Sequence, residues 1–447
     1  MSTGDDHTGQ DDATISRRRF CQTAAVGIGG LAIGGYLGAR TARGQNPDPL
    51  PPPIITGRSV EICMNSRYSR HSGLSGTATT QQISNVLWAA GKAPSTGSYR
   101  TITLKTPQGT YIYHPETHSL EYSSSGTVTN AFRLNYERER DFDAGVSYVF
   151  AIWESVSLWT GTASQVANCP QMSDLNFGIN SVTGLTSQLV AVSSNGSLPN
   201  PVTDGANHME EVLADVRLRD RFRTDLDLSP QRLSQLLWAG YGCTPHMTSN
   251  SRAGLTVPSW VAEYFLTNRI YVVNDKVWRY ANRVGTNLAT RDHRLDLVYD
   301  ADVRPALRQA LPDLPAAPCY ILLCLTQAGL GTWYHRLETG FAAGGILLES
   351  AALGLGCAFK AALSSAELLA VQQVTQTPVT DFAHAIVAVG HRPADLDGDG
   401  DVDADDLNAF GGCMTGPGGS VSPGCEPADA DGDGDADLTD FAALQND

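Results

Sequence analysis

Charged residues make up only 17% of this 447-residue chain, and basic residues are the scarcer kind, with 31 Lys and Arg against 47 Asp and Glu. The acidic excess is local. Residues 394–447 hold fourteen Asp, one Glu and no Lys or Arg, so they carry −15 of the formal charge of −16. The rest of the chain is nearly neutral and offers no broad basic face, which excludes nucleic acid as an expected partner.

Signatures of several common catalytic and metal sites are also missing. The nine cysteines include no CxxC pair, which argues against a zinc ribbon or a thioredoxin-type redox motif. There is no HExxH, GxSxG or P-loop motif, and no dinucleotide-type GxGxxG follows a predicted strand. His114 and His118 are four residues apart but flank Pro115 in a predicted turn, so we expect no metal site there.

The N-terminus has the pattern of an export signal. Arg17, Arg18 and Arg19 precede an apolar, glycine-rich run over residues 23–37. This run is shorter than the roughly 20 residues that a transmembrane helix needs, so we expect a signal over 1–43 and no mature membrane span; the alternative is a weak membrane anchor. The paired arginines make it resemble a twin-arginine signal, which implies a periplasmic, extracellular or cell-surface location and favours a cofactor loaded before export. A proline-rich linker follows at 44–56.

The middle of the chain contains an internal repeat. The residues Ser84, Leu87, Trp88 and Ala89 recur 150 positions later as Ser234, Leu237, Trp238 and Ala239. The segment 117–121 is echoed by 292–296. Both repeated helices begin with capping signals, Thr79 with Gln82 and Ser229 with Pro230. We therefore predict a tandem duplication, with α+β copies at 57–205 and 208–392.

Within each copy, β-rich runs alternate with helical patterns. The predicted strands are 101–106, 148–154 and 188–193 in copy one, and 269–273, 320–326 and 383–389 in copy two. Residues 340–356 are apolar on nearly all sides, which predicts a buried helix that ends at a glycine cap.

An ordered set of short motifs makes copy two resemble the nitroreductase-type flavin domains, in the branch with the thiazole/oxazole-forming dehydrogenases. The set comprises arginines at 217–221, the 236–239 helix, the 257–259 loop, the 337–340 and 352–356 segments, and the closing 388–390. Copy one shows the same order more faintly between Arg67 and His118. The resemblance implies a flavin-dependent oxidoreductase in which two fused domains form a dimer within one chain and bind flavin mononucleotide (FMN).

The resemblance also implies which residues bind the flavin, because the family's sites lie between two protomers. One site would combine Arg217, Arg221, Arg392, Gly354 and Gly356 with Pro94, Ser95 and Gly97 of copy one. The reciprocal site would combine Arg67, Ser69 and Arg70 with Pro258 and Ser259. Guanidinium groups bind phosphate through paired hydrogen bonds, and glycine lets the backbone approach a flat ring.

Two residues depart from the family pattern, Arg219 where the family has a serine and Trp260 where copy one keeps a small residue. The Lys-Tyr pair of the azoline-oxidising branch has no counterpart, which disfavours ring-forming oxidation. No general acid can be identified. Copy one can be interpreted as a degenerate domain that is retained to complete the dimer. The alternative function is a non-catalytic surface or assembly protein that has lost flavin.

The acidic tail contains two loops with the spacing of calcium ligands. The side chains are Asp395, Asp397, Asp399, Asp401, Asp403 and Asp406, and then Asp429, Asp431, Asp433, Asp435, Asp437 and Asp440. Each loop has oxygen ligands at positions 1, 3, 5, 9 and 12, a glycine at 6 and a backbone carbonyl at 7, which suits calcium. Pro393 and Pro427 stand just before the loops and exclude a helix that enters either loop. Only the helices that follow the loops are therefore predicted, at 405–411 and 438–445.

Two loop-and-exit-helix units at the end of an exported chain resemble a type I dockerin. This resemblance implies docking onto a cohesin-like or other surface protein. We expect Leu407, Phe410, Leu438 and Phe441 to form the small core of the tail. Cys413 and Cys425 are twelve residues apart, and in an oxidising compartment they are predicted to form a stabilising disulfide.

Overall fold

The computed structural model describes residues 48–49, 59–69, 80–94, 100–105, 109–125, 133–158, 177–178, 208–430 and 432–446. It divides into two compact units, a body within residues 39–393 and a tail of residues 394–446. The predicted signal at 1–43 lies outside the described residues. Within the described ranges, every helix is too short or too polar to cross a membrane.

The described residues of the predicted copy one form helices and an antiparallel sheet, and residues 48–49 of the predicted linker pair with that sheet at Leu120 and Ser119. The helices are α1 (Val60–Ser66), α2 (Thr80–Gly91) and α3 (Asp141–Leu158), and the strands are β1 (Asp48–Pro49), β2 (Tyr68–Ser69), β3 (Arg100–Lys105), β4 (Thr110–His114), β5 (Ser119–Ser124), β6 (Arg133–Arg138) and β7 (Phe177–Gly178). The main sheet has the order β1-β5-β4-β3-β6, and β2 pairs with β7 separately. Helix α3 follows the sheet directly.

Copy two is longer. Its helices are α4 (Met209–Asp215), α5 (Pro230–Tyr241), α6 (Arg304–Ala310), α7 (Gln327–Leu330), α8 (Trp333–Ala352) and α9 (Ser365–Thr375). Its strands are β8 (Cys243–Met247), β9 (Ala253–Leu255), β10 (Ile270–Val273), β11 (Val277–Ala281), β12 (Arg294–Tyr299), β13 (Cys319–Leu325), β14 (Gly356–Ala361) and β15 (Phe382–Gly390). The main sheet has the order β12-β11-β10-β13-β15-β14. The order β5-β4-β3-β6 of copy one therefore matches β12-β11-β10-β13 here.

These elements confirm the predicted α+β class and most of the predicted segments, with three differences. Residues 148–154, predicted as a strand, lie inside helix α3. The run 188–193 lies outside the described residues. The buried helix predicted at 340–356 is α8, which begins earlier, at Trp333, and ends at Ala352. Gly354 follows the helix with a φ of +71°, and Gly356 is the first residue of β14. The predicted cap of α5 is present, because Ser229 Oγ accepts a hydrogen bond from Arg232 N at 3.3 Å.

Helices α3 and α8 pack against each other at the centre of the body. Gly145 and Gly340 meet at this crossing, and a Cβ added to either would lie 2.9 Å from the Cα of the other. Such a Cβ would also overlap the carbonyl oxygen of Leu337 or Phe142. Only glycine allows this close approach of two helices.

Two pairs of buried glutamates lie between the copies. Glu154 of α3 faces Glu210 of α4, and Glu349 of α8 faces Glu61 of α1. The four residues are 0–5% exposed. Burial raises the pKa of Glu154 and of Glu349 well above the ordinary value, and the neighbouring glutamate raises each further. Two adjoining buried carboxylates disfavour each other's ionisation, so we expect each pair to keep a proton at pH values above the ordinary pKa of 4.5.

The tail is a small unit with its own core. Its helices are α10 (Ala404–Cys413) and α11 (Leu438–Asn446), in place of the shorter exit helices predicted. Phe410 is buried, and its ring lies 5.7 Å from that of Phe441. The prediction that Leu407 and Leu438 belong to this core is wrong, because they are 52% and 71% exposed. Small residues (Ala394, Ala428 and Ala436) and Leu444 fill the core instead.

Candidate functional site

Three arginines line one open cleft of copy two. Arg217 and Arg219 come from the segment after α4, and Arg392 comes from the segment after β15. Gly354 and Asp215 also line the cleft. The arginine segment is held beside the sheet, because Arg219 N donates to Cys357 O at 2.9 Å. Arg217, Gly354 and Arg392 of the predicted set therefore line the same cleft.

The cleft is electropositive. Burial and the charges of Arg217 and Arg392 together lower the pKa of Arg219 to about 10, and Asp215 acts against them. Three guanidinium groups and one carboxylate leave a net charge of about +2. A phosphomonoester carries about −1.5 to −2 at neutral pH, so it would neutralise the cluster. Guanidinium groups also bind the oxygens of such an anion in pairs.

Two predicted cofactor residues of copy two do not line this cleft. Arg221 is exposed and is not among the residues that line the cleft. Gly356 has a packing role, because a Cβ there would lie 2.9 Å from the ring of Phe222 and 3.4 Å from Arg219 Cγ. Its small size therefore seats the arginine segment against β14. Arg219, which the sequence marked only as a departure from the family, is the third cationic group of the cleft.

The copy-one loop predicted to complete this site begins at Pro94. The Pro94 carbonyl accepts a hydrogen bond from Arg138 at 3.4 Å, and the preceding Ala93 carbonyl accepts one from Arg100 at 2.9 Å. Two arginines of the copy-one sheet therefore anchor the start of the loop. Ser95 and Gly97 lie outside the described residues.

The reciprocal set is brought together differently from the prediction. Arg67 is 2% exposed, and its guanidinium donates to Leu255 O at 2.9 Å and Val257 O at 3.3 Å. Val257 directly precedes Pro258, so Arg67 contacts the segment that leads into the predicted loop. Ser69 is in β2, and Arg70 lies outside the described residues.

Glu338 is a buried acidic residue beside this loop that was not among the predicted site residues. It is 0% exposed and accepts hydrogen bonds from Tyr241 Oη, Leu266 N and Ser259. Burial raises its pKa to about 7, although these hydrogen bonds act in the opposite direction. The predicted helix began at residue 340, so the sequence placed Glu338 in the segment that leads into it and not inside the helix.

Each copy contains the same hydrogen-bonded triad of Ser, His and Tyr. In copy one, His118 bonds to Ser84 Oγ and to Tyr113 Oη, both at 2.8 Å. In copy two, His293 bonds to Ser234 Oγ at 2.7 Å and to Tyr280 Oη at 2.8 Å. The serines and histidines are the residues that the sequence repeat paired. His114 bonds instead to Glu121 at 2.9 Å, so the two histidines of 114–118 have separate partners.

The aspartates of the tail form three groups whose carboxylate oxygens lie within 4.8 Å of one another. The groups are Asp395, Asp397 and Asp399; Asp401, Asp403 and Asp406; and Asp435, Asp437 and Asp440. Hard carboxylate oxygens in such numbers suit calcium. Asp401 was expected to contribute its backbone carbonyl, but its carboxylate belongs to the second group. Asp431 lies outside the described residues.

Backbone amides of the loops point at the first and last carboxylates of the predicted ligand sets. Asp406 accepts from Leu396 N at 2.6 Å and Asp403 N at 2.7 Å. Asp429 accepts from the amides of Gly432, Asp433 and Gly434 at 2.7–3.1 Å. These bonds hold both loops in tight turns. A disulfide joins Cys413 to Cys425, the two cysteines that the sequence paired.

Comparison with solved structures finds nitroreductases. The chain is 12% identical to a candidate nitroreductase from Anabaena variabilis, covering 73% of this chain and 93% of that one, with a TM-score of 0.48. It is 22% identical to a candidate nitroreductase from Ralstonia eutropha, over 47% and 96% of the two chains, with a TM-score of 0.36. For an FMN-dependent nitroreductase from Clostridium difficile the identity is 16%, the coverage 40% and 85%, and the TM-score 0.28.

These scores describe a partial likeness. No model of a known protein family matches the chain, and no curated protein matches it.

Proposed function

We propose that the body is an FMN-dependent oxidoreductase of the nitroreductase type, formed by two copies that act as a dimer within one chain. The observation that supports this proposal best is the cleft lined by Arg217, Arg219 and Arg392. Its net charge of about +2 suits a phosphomonoester, which is the anionic end of FMN. Gly354, with its φ of +71°, keeps that side of the cleft free of a side chain.

The residues of the chain would bind and orient the cofactor. The three guanidinium groups would hold the phosphate, and the anchored start of the Pro94 loop would approach from the other copy. Bound flavin supplies hydride or electron transfer between a donor and an acceptor, while the protein positions it and limits water access. The substrate would be a small redox-active molecule.

The duplication is supported by matched positions in the two halves. The two sheets share a strand order, and both Ser-His-Tyr triads use equivalent residues. The helix pair α3 and α8 is matched too: Glu154 corresponds to Glu349 and Asp141 to Arg336, and the last two form an ion pair across the crossing. A pseudo-twofold arrangement accounts for these matches: Asp141 meets its counterpart Arg336 as Gly145 meets Gly340, and the glutamate pair Glu154–Glu210 recurs as Glu349–Glu61.

FMN binding is the test of the proposed activity. The chain without residues 1–43 would be mixed with FMN, freed of excess by gel filtration and examined for retained flavin absorption. Riboflavin, which lacks the phosphate, is the matched ligand control. We expect Arg392→Ala to weaken FMN binding about 10- to 100-fold, because a hydrogen bond to a charged group contributes about 1.5–3 kcal/mol, and to leave weak riboflavin binding unchanged. A colourless protein would refute the proposal and favour the assembly role alone.

We further propose that the tail binds calcium and docks onto a cohesin-like or other surface protein, after export through the twin-arginine-type signal. The three aspartate groups and the two tight glycine turns support calcium binding. Exposed Leu407 and Leu438 on the tail helices offer apolar contacts to a partner. Titration with calcium, followed by calorimetry, tests this proposal. We expect the parent chain to bind calcium saturably and the double variant Asp395→Ala with Asp429→Ala not to bind it. A parent chain that shows no heat of calcium binding would contradict the proposal.

A further inference from the structure

We propose that the disulfide loop of the tail (residues 413–425) positions a calcium-binding group of the second aspartate loop (residues 429–440), and that it does so through Thr415. The inference rests on the proposed calcium binding and adds a positioning residue that lies outside both aspartate loops. Oxygens of the second loop would bind the cation. The disulfide loop would fix the direction in which one of these oxygens points.

The second aspartate loop contains a buried carboxylate oxygen that accepts no hydrogen bond. One carboxylate oxygen from each of Asp435, Asp437 and Asp440 lies within 4.8 Å of the others. Asp435 is 7% exposed, and its Oδ1 has no hydrogen-bond partner among the residues that the structure describes. Buried polar groups normally have a partner. Calcium is a partner that suits several adjoining carboxylate oxygens.

Thr415 is hydrogen-bonded to a peptide group of this loop. Ala436 N donates to Thr415 Oγ at 3.0 Å, and this N–H belongs to the same planar peptide unit as the carbonyl of Asp435. The peptide is trans, so its N–H and its C=O point in opposite directions. The bond therefore directs the Asp435 carbonyl away from Thr415. This carbonyl is at position seven of the loop, where a calcium loop supplies a backbone oxygen.

The disulfide loop also holds the neighbouring carbonyl groups. Ala436 O accepts hydrogen bonds from Thr415 N at 2.9 Å and from Gly416 N at 3.1 Å. Gly434 O accepts one from Val421 N at 3.2 Å. The carbonyl groups on both sides of position seven are therefore oriented from outside the aspartate loop.

The carboxylate of Asp435 is held by the same segment. Gly418 N donates to Asp435 Oδ2 at 2.5 Å, which leaves Oδ1 as the oxygen without a partner. Gly418 has a φ of +75°, a conformation that glycine adopts without steric cost. The disulfide loop thus contacts both the backbone and the side chain of the residue at position seven.

The disulfide closes the segment that makes these contacts. Thr415, Gly418 and Val421 all lie between Cys413 and Cys425, which are bonded to each other. A closed loop of this length has fewer conformations than an open one, so its hydrogen-bonding groups stay near the second aspartate loop. The disulfide would therefore support calcium affinity without contacting the cation.

The calcium affinity of the second loop tests the inference. The chain without residues 1–43 would carry Asp395→Ala, so that only the second loop is titrated, and calcium binding would be followed by calorimetry. We expect Thr415→Val, which keeps the shape of the side chain but lacks its hydroxyl, to weaken binding about 3- to 10-fold. Thr415→Ser keeps the hydroxyl and should bind calcium as the parent does. Ser420→Ala changes an exposed residue of the same segment and should leave the affinity unchanged.

The two threonine variants distinguish positioning from packing. If Thr415 acted only by filling space, Thr415→Val would keep the affinity and Thr415→Ser would lower it. The double variant Cys413→Ser with Cys425→Ser opens the disulfide loop, and we expect it to weaken the second loop at least 3-fold. The thermal midpoint of each variant without calcium shows whether its tail is folded. If the cysteine variant does not fold, the two threonine variants still decide.

The other outcomes separate the inference from the proposed calcium binding. Equal affinity in parent and Thr415→Val would overturn the inference and leave a calcium-binding tail. An equal loss in the Asp429→Ala background, where only the first loop is titrated, would overturn it too, as would a chain that binds calcium with Asp429→Ala but not with Asp395→Ala. If neither background binds calcium, the proposed calcium function fails, and the inference fails with it.

Discussion

The buried glutamate pairs predict that the stability of the body falls as pH rises. Glu154 and Glu349 have a raised pKa in the folded state, so the folded chain keeps protons that the unfolded chain loses above its ordinary value of 4.5. Stability is therefore greatest below that pH and is lost as pH rises towards the folded pKa. The slope of the unfolding free energy is about −1.4 kcal/mol per pH unit for each extra proton, or about −2.7 for two pairs.

Two buried histidines have the opposite effect at lower pH. Burial lowers the pKa of His246 to about 3 and that of His384 to about 4, so their charging in the unfolded chain destabilises the fold below the ordinary value of 6.5. Measurements between pH 7 and 8 avoid this term. All seven tryptophans lie in residues 88–333, so their fluorescence during urea unfolding reports on the body and not the tail.

Replacement of one acid isolates the contribution of a pair. We expect Glu349→Gln to make the slope between pH 7 and 8 less negative, by at most about 1.4 kcal/mol per pH unit, because the amide needs no proton. Exposed Glu139→Gln is the matched control and should leave the slope unchanged. An equal slope in parent and Glu349→Gln would refute the shared proton.

Three further predictions concern local packing and the tail. Gly145→Ala should destabilise the body by about 1–3 kcal/mol in urea unfolding, because the added Cβ would overlap helix α8. Gly411 in helix α10 has open space around it, so Gly411→Ala should stabilise that helix by about 0.5–1 kcal/mol, measured by circular dichroism. Ser234→Ala should lower the unfolding free energy by about 1–3 kcal/mol, because it leaves buried His293 without its serine partner. Ser84→Ala should cost less, because its partner His118 is partly exposed; equal losses would contradict this reasoning. Cys413→Ser should cost the tail about 2–4 kcal/mol in thermal unfolding, and dithiothreitol should have no further effect on that variant.

Local patterns in the sequence were sufficient to predict where helices begin, where the loops turn and which segments are repeated. Ser229 before Pro230 predicted the start of α5, because a cap and a fixed φ act within one turn. The pairing of Ser84 with Ser234 predicted equivalent helices. Residues 148–154 were assigned wrongly, since a helix buried on all sides is apolar at every position and its periodicity disappears. The flavin-type arginines of copy two could be selected by resemblance, but Arg221 and Gly356 could not be distinguished from the residues that line the cleft.

The sequence by itself determined the α+β class, the boundaries of many helices, and the residues that could ligate calcium or pair as a disulfide. Each of these depends on neighbours within about twelve positions. Only the tertiary structure decided that Arg67 holds backbone carbonyls near residue 256, that Glu349 faces Glu61, and that Gly145 meets Gly340. Such contacts join residues nearly 200 positions or more apart, and packing of the whole body, rather than any local preference, fixes which of them meet.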